Sequence, residues 1–120
     1  MTSDEKFRLA LVDSLLTMAL PLADIAEQLA ELGWDYEGIG VRLTPDHFSN
    51  VLARYLRSEI SEVDVETWAN LIEGRDDVDF DQTFEALVRD VLHELANPPL
   101  TNPLDPTRAR HLVGILNPDS

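Results

Sequence analysis

The sequence contains no cysteine. Disulfides and thiolate metal sites are therefore excluded, packing alone must hold the chain, and a reducing, cytoplasmic location is expected. Bases are scarce, nine Lys and Arg against 23 Asp and Glu, for a formal net charge of −14. Phosphate backbones and anionic lipid surfaces would repel such a chain at long range, so neither nucleic acid nor membrane is an expected partner. Apolar runs are short. None reaches the roughly 18 uncharged residues that a membrane span needs. The apolar N-terminal stretch follows acids, is interrupted by Asp13, and shows neither the basic start nor the small-residue cleavage pattern of a signal peptide. Internal repeats and low-complexity tracts are lacking as well.

What is present is a chain of 120 residues, 44% hydrophobic, enough for one core and one domain over residues 1–120. That apolar content also separates it from acidic disordered tails, so its charges belong on a folded surface. The apolar spacing predicts an all-α protein, a compact bundle of five or six helices with a short extended loop around residues 34–43.

The first helix starts at Ser3 as N-cap and is apolar on almost every side from Phe7 to Leu20, with a thin polar strip of Asp13, Ser14 and Thr17. Pro21 ends or kinks it. Leu22, Ile25, Ala26, Leu29 and Leu32 then repeat at helical spacing up to Gly33. In the loop that follows, Ile39, Val41 and Leu43 alternate with small or polar residues, and Trp34 and Tyr36 are expected to plug the core beneath it. Gly38 and Gly40 lack the third glycine of a phosphate-binding loop. Thr44 and Pro45 open a third helix with Phe48, Val51, Leu52, Tyr55 and Leu56 inward. Ser61 and Asp64 form a near-match to a capping box for a fourth, whose buried face is Val65, Trp68, Ala69 and Ile72 before Gly74. A fifth runs from about Gln82 to Leu95, with Glu85 four residues before Arg89 and Asp79 or Asp81 as cap. After the proline-rich stretch, Asp105 and Pro106 open a last helix, and the tail from Asn117 should fray.

No catalytic signature appears. Asp77, Asp79 and Asp81 match three positions of a calcium loop, but Gln82 stands where the glycine should be and Val88 where the bidentate glutamate should be. His47, His93 and His111 have no ligand spacing. No serine lies in a nucleophile-elbow context, so no catalytic residue, metal or cofactor is expected.

The acids are most crowded from Glu59 to Asp81, nine of them with Arg75 as the only base. Capping explains two or three, and self-repulsion should penalise the rest, so the excess points to recognition of a basic protein partner. Glu59, Glu62, Asp64, Glu66, Glu73, Asp76, Asp77 and Asp79 are the candidate docking carboxylates. If they are exposed, asparagine at Asp76, Asp77 and Asp79 together should leave the fold almost intact.

The segment VLARYLRSEISEVDVETWANLIEGRDDVDF, about a quarter of the chain, resembles the central part of small acidic helical bacterial immunity proteins of the colicin D type. That family blocks a tRNA-cleaving toxin by offering carboxylates to its basic active site. The resemblance implies the same task for Glu59, Glu62, Asp64, Glu66, Asp76, Asp77 and Asp79, in a non-catalytic inhibitor of a toxin or nuclease. The alternative is a structural or regulatory module that self-associates, as a homo-oligomer, through an apolar patch such as the Trp34 to Leu43 loop, with the charge serving solubility only.

Overall fold

The helical periodicities become, among the described residues, six α-helices: α1 (Ser3–Thr17), α2 (Leu22–Ala30), α3 (Pro45–Leu56), α4 (Glu62–Ile72), α5 (Glu85–Ala96) and α6 (Pro106–Leu116). The computed structural model describes residues 3–117; the Ser3 side chain, expected to cap α1, and residues 118–120 of the tail lie outside that description. None of the described helices is long and apolar enough to cross a membrane.

Trp68 is the centre of the core. It is fully buried and meets Phe48 edge-on, ring centroids 5.4 Å apart, and its indole N–H donates to the Leu15 carbonyl at 2.7 Å. A buried indole needs such an acceptor, and here it comes from the last turn of α1. α3 packs on α6 and α4 on α5, with α1 against α2, α3 and α4.

Helix starts follow the sequence except at α5, expected from about Gln82, where residues 82–84 form a 3₁₀ turn and the α-helix begins at Glu85. Ser61 and Asp64 exchange both hydrogen bonds of a capping box, and the Asp105 side chain accepts from the Arg108 N–H at 2.7 Å. At Thr44 the N–H donates to His47 Nδ1 at 3.1 Å, which requires an unprotonated nitrogen there; burial, the larger influence, lowers the His47 pKa against the opposing pull of Asp13 and Asp46.

Helix α1 stops short of Pro21. Met18 takes a left-handed conformation (φ 53°), with Met18 N–H donating to the Leu15 carbonyl and Ala19 N–H to that of Ser14. This is the closing pattern in which a left-handed residue satisfies the last free carbonyls, normally with glycine. The next carbonyl, that of Met18, accepts from Arg54 Nη1 at 2.9 Å. Ser58 (φ 62°) ends α3 in the same way.

The all-helical expectation needs one correction. Val41–Leu43 (β1) and Val78–Phe80 (β2) form a two-stranded parallel sheet, Val41 opposite Val78 and Leu43 opposite Phe80. Only the first part of the expected 34–43 loop is loop. The connection between the strands contains α3 and α4, long enough for the crossover that parallel pairing demands. Gly40 is required at the junction: a Cβ there would lie 2.4 Å from the Asp77 carbonyl oxygen.

Candidate functional site

Asp77 is completely buried and holds two arginines. Arg75 donates Nε to Oδ1 at 2.8 Å and Nη2 to Oδ2 at 3.0 Å, and Arg8 donates Nη1 to Oδ2 at 2.8 Å. Each guanidinium also reaches a main-chain carbonyl just beyond the C-terminus of α2, Arg8 that of Leu32 and Arg75 that of Gly33. Cations are favoured at that end of a helix. The outer faces are covered by the loop: the Arg75 guanidinium lies 5.1 Å from the Trp34 ring and that of Arg8 5.3 Å from the Tyr36 ring. The Asp76 N–H donates to the Trp34 carbonyl at 3.1 Å, tying the two segments together.

Two expectations are thereby corrected. Asp77 is no exposed docking carboxylate; an isolated buried charge is too costly, and the two arginines, bonded to it and to carbonyls, make its burial possible. Trp34 does not plug the core. It is 48% exposed and acts as a lid over Arg75.

The other candidate acids divide. Glu59 pairs with Arg57 on the surface, Asp64 completes its capping box, and Asp79 accepts from the Gly40 N–H at 2.9 Å. Glu73 ties α4 to α5 through Asn97 at 3.3 Å and His93 at 3.4 Å. Glu62, Glu66 and Asp76 have no side-chain hydrogen bond or ion pair among the described residues. At 100° per residue, Glu62 and Glu66 fall about 40° apart on α4, a strip beside its buried face that Glu73, the residue just after the helix, continues. The field there is negative enough that Glu62 and Asp105 assist burial in raising the Tyr55 pKa.

Beyond the end of α4 lies an open cleft of about 1130 Å³ between residues 39–42, residues 73–83 and α5. Its acids are Glu73, Asp76, Asp79, Asp81 and Glu85, and its bases Arg42, Arg75 and Arg89. Arg75 is committed to Asp77, and Arg89 pairs with Glu85 at 2.9 Å while covering Phe80, 4.0 Å from the ring centre. The three acids that resemble a calcium loop diverge: Asp77 faces the arginines, Asp79 the Gly40 N–H, and Asp81 caps a 3₁₀ turn through Thr83 N–H. Among the described residues no three potential ligands converge on a metal position.

No motif in the sequence marks Arg8 and Arg75 as anchors. The available signal was their isolation, Arg75 as the sole base among nine acids and Arg8 between apolar neighbours on α1. No protein-family model, curated protein or solved structure matches the chain.

Proposed function

We propose that the protein is a non-catalytic binding protein that docks carboxylates on a basic protein surface, an inhibitor or immunity-like partner of a toxin or nuclease. The allocation of cations carries this reading. Arg8, Arg54, Arg57, Arg75, Arg89 and Arg108 all hydrogen-bond within the chain. Only Lys6, Arg42 and Arg110 remain without such bonds among the described residues, so the outer acids are answered by very few cations. A surface of that kind attracts basic partners and accelerates their association. The docking surface is the strip of Glu62, Glu66 and Glu73 continued by Asp76 and Asp79 into the cleft; Asp77 is left out.

The test takes a purified basic toxin or nuclease domain that binds the wild-type chain and measures association against salt. Replacing Glu62 and Glu66 by glutamine and Asp76 by asparagine should slow association about ten-fold or more at low salt. Most of that difference should vanish near 1 M salt, where the Debye length is about 3 Å. Unchanged kinetics at low ionic strength would reject the docking surface.

A second reading, self-association through the 34–40 loop, is favoured by the exposure of Trp34 and of Ile39, which is 85% exposed. It predicts a dimer that persists in high salt and weakens when Ile39 is replaced by serine.

A further inference from the structure

The cleft runs beside β2, and main-chain accounting along that strand suggests how a partner could be held. Val41 N–H donates to the Asp77 carbonyl at 2.9 Å and Asp81 N–H to the Leu43 carbonyl at 3.3 Å. Main-chain groups alternate in direction along a parallel strand, so β1 is served by residues 77, 79 and 81. The N–H and C=O groups of Val78 and Phe80 are thereby turned to the opposite edge. Among the described residues they meet no hydrogen-bonding partner in the chain. Such an edge is a template for another extended segment.

The surrounding charge selects the occupant. Val78 and Phe80 line the cleft together with Glu73, Asp76, Asp79, Asp81 and Glu85, against Arg42, Arg75 and Arg89. Arg75 is taken up by Asp77 and Arg89 by Glu85, so the lining stays net negative. A second copy of this chain would bring the same carboxylates to the same place and be repelled, whereas a segment bearing Lys or Arg would be attracted. We propose that an extended, basic segment of the partner protein adds to β2 as a third strand, bonding to Val78 and Phe80 while its cationic side chains meet Asp76 and its neighbours. This rests on the reading of the protein as a docker of basic surfaces and goes further by specifying the conformation recognised.

Residue-resolved amide hydrogen exchange of the whole chain tests it, with a peptide of alternating lysine and valine as the probe. The expected result is salt-sensitive binding that slows exchange at the Val78 and Phe80 amides by about ten-fold or more, leaving Asp79 and Asp81, already bonded to β1, little changed. N-methylation of the peptide at alternate residues should weaken binding by about ten-fold, the equivalent of about 1.4 kcal/mol. Salt-sensitive binding without protection at Val78 and Phe80 would overturn strand addition and leave acidic docking standing. Binding that ignores salt, or is matched by a glutamate–valine peptide, would overturn both. Protection that grows with protein concentration in the absence of peptide would make a second copy the occupant and overturn the basic segment.

Discussion

Asp76 and Asp77 are adjacent in the chain and opposite in their surroundings. The first is exposed with no side-chain partner among the described residues; the second is fully buried between two arginines. The same contrast separates two regions of the acidic stretch. Around the sheet, carboxylates are structural parts: Asp77 holds Arg8 and Arg75, Asp79 holds Gly40, and Asp81 starts the turn into α5. Along α4, Glu62 and Glu66 face outward and hold no partner among the described residues. Local acid density is therefore a poor guide to purpose, because burial and partner supply decide what each carboxylate does.

The contrast is broken most severely at Asp77. Asp77→Ala should destabilise by about 3–5 kcal/mol, since it leaves two guanidiniums facing a site built for an anion, one of them buried. Urea denaturation measures this, and a loss under about 1 kcal/mol would show that water or local rearrangement replaces the carboxylate easily. The expectation that asparagine at Asp76, Asp77 and Asp79 leaves the fold almost intact is revised accordingly, with the damage attributed to Asp77.

The next largest effect tests the backbone beside that carboxylate. Gly40→Ala places a methyl group 2.4 Å from the Asp77 carbonyl oxygen, and because that atom is main chain it cannot swing aside. A cost of about 1–3 kcal/mol is expected, the range for overpacking. It should come with faster exchange of the Val41 amide, which donates to that carbonyl. Wild-type stability together with wild-type exchange at Val41 would mean that β1 and β2 are less tightly joined than their register implies.

Most of the helical fold was legible because it rests on local signals. Ser61 with Asp64, Thr44 with Pro45, and the apolar stripe from Phe48 to Leu56 each mark an element within a single turn or two. The sheet was not legible. Its strands have three residues each, their partners are 37 positions apart, and Val78-Asp79-Phe80 lies within a run of acids. The Arg8–Asp77 bond spans 69 positions, and no periodicity reports a contact of that range. Trp34 departs from its expected place for a related reason: an aromatic beside a loop is normally core, and only the position of Arg75 shows that it covers a cation.

Trp34 gives a smaller and more graded test. Trp34→Ala should cost about 0.5–1 kcal/mol, the scale of a partly exposed cation–π contact. Trp34→Leu should recover little of it, because an aliphatic side chain has no ring face for the guanidinium. A loss of 3 kcal/mol or more in thermal or urea melts would mean that the ring is a core residue after all, the usual fate of an aromatic side chain.

The smallest effect on stability is expected on the outward side. The combined Glu62→Gln, Glu66→Gln and Asp76→Asn variant should remain within about 0.5 kcal/mol of wild type, since exposed charges without partners contribute little. Two terms oppose each other. Glu62 lies in the first turn of α4, where a negative charge favours the helix by about 0.3–1 kcal/mol, so its neutralisation costs something. Glu62 and Glu66 are also a like-charge pair at i,i+4, worth about 0.2–0.5 kcal/mol of repulsion that the variant removes. Melts at low and at high salt separate these surface terms from packing, because both shrink as the Debye length falls. A loss above about 1 kcal/mol that persists in 1 M salt would show that the outer acids are structural parts like Asp77, and the distinction between the two regions would collapse.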